Sequence, residues 1–317
     1  MKMTEPPKKP RRKRQAIDYE MATMRLLSKY HYLTPQQVAD TGLVSNDRGA
    51  RAVLARLING KKAPVARVNY APCSIRGRRS DIYYLTKYGA DLVMQEFRLD
   101  PEMVSYPKGK PSRLQDYWHR RATIDFHIVV DRFTEAKSGE VQFFHTYFDH
   151  TGANRSKASA SDPTLRRRAF SKITFGEHYL IPDVNFLLVS QRRNRHLFTG
   201  EIYNGRDTGR VIDQLLKHVY LISENVIADH YQHNDLPWRV LSVFETKKAM
   251  LNVARRFASE IKADVFKPHF AFSTLPLIRR NFATNWMDIN GKQMMIFEDE
   301  GCSEPQPDNV VPLRRVK

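Results

Sequence analysis

Met21, Met24, Leu27 and, just beyond, Tyr32 recur at the spacing that lines one face of a helix, which predicts a helix over Asp18 to Tyr30. Thr34 followed by Pro35 is a start signal, with the threonine at the cap and the proline at the first helical position. A short helix is expected from Pro35 to Thr41, turned by Gly42. Ser45 is expected to cap a third helix, Asn46 to Asn59, whose apolar face carries Ala50, Val53, Leu54, Leu57 and Ile58 and which Gly60 ends. Val65 to Tyr70 alternates as a strand, Asp81 to Leu85 reads as a second, and the loop tip between them reads Arg76-Gly77-Arg78-Arg79-Ser80. Thr86 opens another helix to about Phe97.

Three short helices followed by a basic two-stranded hairpin is the order of a winged helix-turn-helix. On that reading Arg48 and Arg51 enter a DNA groove with the third helix, and Arg76, Arg78 and Arg79 meet phosphate at the wing tip. A small helical domain used for protein contact has the same pattern. Leu99 to Arg113, with three prolines and Gly109, reads as a linker. Residues 1–16 are basic and proline-containing and are expected to form a disordered arm, and 298–317 a disordered tail. The expected organisation is therefore a winged helix over 17–98, a linker over 99–113 and a second domain over 114–297.

In the second domain the pattern predicts a helix from Leu114 to Glu135, a strand Val141 to Phe148, and a polar basic stretch to Ser171 that contains Arg166, Arg167 and Arg168. The apolar run Leu180 to Val189 and a second one ending in Glu201-Ile202-Tyr203 follow, joined by an Arg-rich turn from Gln191 to Arg195. Arg166 to Arg168 with Arg192, Arg193 and Arg195 read either as a path for single-stranded DNA or, more simply, as a solvated basic surface. A helix Gly209 to Ile222, a strand Trp238 to Thr246, a helix Lys248 to Ile261 and a strand Pro268 to Ser273 complete an α/β (α+β) core.

If the two apolar runs pair as a hairpin, Asp183 comes next to Glu201, while Glu201 and Tyr203 share a face and Ile202 points the other way. Two carboxylates and solvent make a hard oxygen site suited to Mg²⁺ or Mn²⁺. The formal charge of +18 on 317 residues makes a polyanion the natural partner, nucleic acid first. No segment approaches 18 apolar residues and no signal peptide opens the chain, so a soluble, cytoplasmic protein away from the membrane is expected. Cys73 and Cys302 support neither a disulfide framework nor a zinc site. His145, His150, His178, His196, His218, His230 and His233 carry no metal-binding signature and read as surface or hydrogen-bonded residues.

An acidic pair on the second and third strands of an αβββαβ order resembles the PD-(D/E)xK, or restriction-endonuclease-like, fold, with Glu201-Ile202-Tyr203 standing where Glu-x-Lys is usual. Together with the N-terminal winged helix, residues 20–297 resemble the replication-relaxation family and, within it, the MobC-like (MOBC class) relaxases of mobilisable elements. The resemblance implies a metal-dependent DNA-nicking relaxase acting at a transfer origin beside other relaxosome or coupling proteins. It implies that Asp183 and Glu201 hold one ion and that Tyr203 stands beside the phosphate, as nucleophile or as a group positioning water. His119 resembles a family position. Lys217, on one helix face with Tyr220, either replaces the missing lysine or is a surface residue. Asp207 suits a helix cap. A DNA-binding accessory or regulatory protein without nuclease activity remains the other reading, and a replication initiator a third.

Overall fold

The computed structural model describes residues 11–70, 79–107, 116–151, 168–205, 207–231 and 238–297, apart from the side chains of 11–17, 151 and 228. Arg76, Arg78, Arg166, Arg167, His233, both cysteines and the tail 298–317 lie outside the described residues. Contacts divide the chain into two units, Met1–Ile128 and Val129–Lys317. No helix among the described residues is long and apolar enough to cross a membrane.

The first unit opens with α1 (Arg11–Tyr30), α2 (Pro35–Asp40) and α3 (Asp47–Leu57). The expected arm 1–16 is thus helical from Arg11, the first residue after Pro10, because Arg, Lys, Gln and Ala favour helix once the proline is past. Thr34 and Gln37 form a capping box at α2, the Thr34 hydroxyl accepting from Gln37 N at 3.2 Å and Gln37 Oε1 accepting from Thr34 N at 2.9 Å. Asn46, not Ser45, caps α3: its Oδ1 accepts from Gly49 N at 2.9 Å. Strands β1 (Val65–Val68) and β2 (Ile82–Leu85) pair antiparallel, and Leu33, just before the cap of α2, bridges to Tyr83 of β2. Helix α4 (Lys87–Phe97) follows, capped by Thr86.

The expected linker is partly docked. Val104 is buried and Ser105 N donates to Ser28 O of α1 at 3.2 Å. The expected boundary at 114 also moves, because α5 (Tyr117–Ala136) contributes its first half to the first unit. Gln37 Nε2, having given its oxygen to the capping box, donates to Asp125 Oδ1 at 2.8 Å and to Arg121 O at 3.1 Å, and Tyr117 donates its hydroxyl to Ser80 O at 3.0 Å.

The second unit is mixed α/β. Its strands are β3 (Glu140–Thr146), two short hairpins β4 (His150–Thr151) with β5 (Arg168–Ala169) and β6 (Ile173–Phe175) with β7 (His178–Leu180), then β8 (Val184–Val189) and β9 (Arg195–Tyr203). Helices α6 (Thr208–Ser223) and α7 (Val226–Tyr231) lead to β10 (Trp238–Phe244), α8 (Lys247–Glu260), β11 (Phe270–Thr274), α9 (Leu275–Arg280), β12 (Trp286–Met287) and β13 (Gln293–Met294). The main sheet runs β13-β12-β11-β10-β9-β8-β3; β9, β10 and β11 are mutually parallel and the remaining pairs antiparallel. The β8–β9 turn closes on Ser190 and Asn194, with Ser190 N donating to Asn194 O at 2.8 Å and Arg193 in the left-handed region. β8 is buried at every position, so both sheet faces are covered, which explains why it is apolar throughout except at Asn185. One face packs Leu187, Leu197, Tyr203, Val240, Phe244, Phe270 and Phe272 against α6 and α8.

Gly89 lies in the first turn of α4, where an added Cβ would run into the Pro64 carbonyl and stand 3.1 Å from Leu85 Cδ2. Alanine gains about 1 kcal/mol over glycine in a helix, whereas overpacking against fixed backbone costs roughly 1–3 kcal/mol or more. Gly89→Ala is therefore expected to lower stability in denaturant unfolding, by on the order of 1 kcal/mol; a stabilised variant would contradict the close approach.

Candidate functional site

Beyond the last ladder pair of β8 and β9, Val184 with Gly200, the backbone places Asp183 beside Glu201. Asp183 Oδ2 accepts from Ile202 N at 2.6 Å, so the side chain continues the ladder one step past the first residue of β8, Val184, and the Asp183 carbonyl accepts from Tyr147 N at 3.0 Å. Alternation along β9 turns Glu201 and Tyr203 toward α6 and Ile202 to the opposite face. The hairpin thus brings the two carboxyl groups together.

Glu201 has no exposed surface. Its Oε2 accepts from Gln214 Nε2 at 2.6 Å, and its Oε1 lies 2.7 Å from His218 Nε2, also without exposure. Gln214 and His218 stand four apart on α6, one turn of the face that also buries Val211, Leu215 and Leu221. Asp207 caps α6, its Oδ1 accepting from Arg210 N at 3.0 Å, and so fixes that face toward Glu201. Burial pushes the Glu201 carboxyl well above the usual carboxylate range, and the nearby Asp183 charge adds to the rise; burial pushes His218 down to about 3. Both directions keep His218 neutral and the proton on Glu201.

Around this pair several polar atoms find no partner among the described residues: the Tyr203 hydroxyl, Ser242 Oγ and His218 Nδ1, all buried. Ser242 is the register partner of Glu201 on β10, and Phe244 that of Tyr203. The Tyr203 ring packs 4.9 Å from Phe244. Desolvation raises its phenol well above the usual value, with Glu201 and Asp183 adding to the rise, the opposite of what a phenolate nucleophile requires. Arg210, exposed in the first turn of α6, is the cation that favours the charged forms of both Glu201 and Tyr203.

The other expected site residues are dispersed. Lys217 is exposed on α6, outside the buried face that carries His218. His119 is half-buried in the first half of α5 and belongs to the Met1–Ile128 unit, whereas both carboxylates belong to the other. Arg48 is exposed on α3; Arg51 is exposed but paired with Asp47 Oδ2 at 2.6 Å. Arg79 lies half-buried with its guanidinium 6.0 Å from the Tyr70 ring and 5.9 Å from Tyr117.

Asp183 and Glu201 have the oxygen chemistry of a Mg²⁺ or Mn²⁺ site, yet both Glu201 oxygens are taken and Asp183 Oδ2 is held by the Ile202 amide. Among the described residues no group of three or more His, Cys, Asp or Glu is placed to hold a metal. As folded, the donor set does not fit an ion, which needs free lone pairs and an open position. Compared with known proteins, the chain matches no protein-family profile, no curated protein and no solved structure.

The enclosed pair sets a pH dependence. From about 4.3, the ordinary glutamate value, to about 6.5, the ordinary histidine value, the folded pair keeps one proton, on Glu201, and the unfolded chain one, on His218, so stability is level. Below that window the unfolded chain binds the extra proton, and stability falls as pH drops. Above about 6.5 the folded state alone keeps a proton, on a carboxyl whose value is raised, so stability falls as pH rises. Melting temperature against pH should show that alkaline fall in the wild type and lose it in Glu201→Gln, whose amide reproduces the neutral acid. An identical alkaline arm in both proteins would show that Glu201 is ionised in the fold.

Proposed function

We propose that this chain is a DNA-binding protein of the mobilisation or replication type, an accessory or regulatory protein whose second unit serves as a scaffold and does not cut. The order α1, Leu33 bridge, α2, α3, β1, β2 supports a winged helix-turn-helix in the first unit. α3 there presents Arg48 and Arg51 outward, and the whole chain carries +18. In the second unit the succession α5, β3, β8, β9, α6, β10, with β9 and β10 parallel, supports a PD-(D/E)xK-like core. The single observation that carries the non-cutting reading is the enclosure of Glu201, with both oxygens satisfied inside the protein.

A second reading, strand nicking by a MobC-like relaxase at a transfer origin with relaxosome or coupling proteins, is favoured by one observation: Asp183 stands beside Glu201, with Arg210 near both Glu201 and Tyr203. Either reading places the protein with DNA in the cytoplasm and away from the membrane.

Two measurements separate them. Arg48→Ala is expected to weaken binding to duplex DNA and to reduce the slope of affinity against salt by about one. Unchanged affinity and slope would remove α3 from the interface. Supercoiled plasmid incubated with the wild type and Mg²⁺ or Mn²⁺ is expected to stay closed; a nick lost in both Asp183→Ala and Glu201→Ala would establish the relaxase reading instead.

A further inference from the structure

Apart from Val265, the exposed large apolar side chains described in the second unit lie in or against the hairpin that precedes β8. Among the described residues Phe170, Tyr179, Ile181 and Tyr220 are exposed there, Tyr179 by 56% and Tyr220 by 50%. The β6–β7 register pairs Thr174 with Tyr179 and Ile173 with Leu180. Ile173 and Leu180 are buried in the core, so Tyr179 occupies the outer face of the hairpin. Lys172 Nζ lies 4.3 Å from the centre of the Tyr179 ring, and the Phe175 ring lies 5.3 Å from that of Tyr220. Arg168 and Lys217 are also exposed, and between Arg168 and Ile181 the only acidic residue is Glu177. The stretch is fastened to the β8 end: the Ser171 hydroxyl donates to Pro182 O at 2.7 Å, and Asn185 Nδ2 donates to Ser171 O at 2.9 Å.

Exposed rings interleaved with cations suit one class of partner. A nucleobase has an apolar face for the ring and a phosphate for the neighbouring cation, and stacking of this kind tolerates any sequence. The centre of a protein interface is instead depleted of lysine. We propose that Tyr179 and Phe170 form a stacking platform for single-stranded DNA, with Lys172, Arg168 and Lys217 meeting the phosphates. This deepens the DNA-binding reading and rests on it, since it gives the second unit a single-strand role distinct from the duplex role of α3.

The test is fluorescence anisotropy of the full chain with a labelled oligothymidine and, separately, a labelled duplex. Tyr179→Ala should weaken oligothymidine binding roughly 5- to 100-fold, the range that loss of one stacked base gives. Tyr179→Phe should stay within about twofold of wild type, because the ring face is kept, and duplex affinity should not change. Because both rings are exposed, the double variant Phe170→Ala, Tyr179→Ala is expected to melt with the wild type. Wild-type oligothymidine affinity in that variant overturns the proposal and leaves the patch to a protein partner. A wild-type chain that holds duplex but no oligothymidine also overturns it while the duplex reading stands; failure to bind either sinks both.

Discussion

A carboxyl group with no exposed surface has to satisfy its oxygens and its proton from within the protein, and that requirement shapes the second unit around Glu201. One oxygen takes Gln214 and the other His218, from adjacent turns of a single helix. α6 therefore has one rotation that serves: a turn of the helix about its axis would leave three polar groups buried and unpaired, each costing on the order of 1–3 kcal/mol. Asp207 at the cap and the Asp183 bond to Ile202 N hold the two ends of the same arrangement, the helix start and the hairpin end. Apolar side chains of the same volume would pack here without that penalty, so the cluster adds specificity of register more readily than net stability.

That arrangement also decides how far the expectation of a cleaving site can be taken. The topology brings Asp183 and Glu201 together as a cleaving site requires, yet it spends their lone pairs on the fold. A carboxyl that keeps its proton beside a neutral imidazole is a poor ligand for a hard cation. Tyr203 shares the enclosure, its ring packed on that of Phe244 and its hydroxyl buried. The functional surface suggested for this unit accordingly lies outside the core, on the aromatic and basic hairpin that precedes β8.

Much of this was legible in the residues. Alternation along Glu201-Ile202-Tyr203 was enough to place Glu201 and Tyr203 on one face, and the polar turn after Val189 predicted the hairpin that sets Asp183 opposite Glu201. Thr34-Pro35 and Thr86 marked helix starts that the structure bears out. His218 is hydrogen-bonded, one of the two states that its missing metal signature leaves open, but that missing signature does not reveal that the ring is enclosed. The informative signal was different: Gln214 and His218 are polar residues four apart on the face that Val211, Leu215 and Leu221 mark as apolar. Polar pairs on a buried face need a partner across the interface, and the nearest unpaired carboxyl in the pattern was Glu201. The β6–β7 hairpin, with three residues to a strand, is too short for periodicity to reveal. The division within α5 was hidden for another reason: the periodicity of one continuous helix does not record to which of two units each half belongs.

The enclosed carboxyl is tested most directly by the nitrogen NMR signals of the His218 ring in the intact protein, followed through a pH titration. Enclosure predicts that the ring stays neutral from about pH 5 to about pH 8, its shifts unmoved through the ordinary histidine value near 6.5. A ring that titrates near that value would mean that water reaches Glu201, and the site would then be open to the cation that the present geometry refuses.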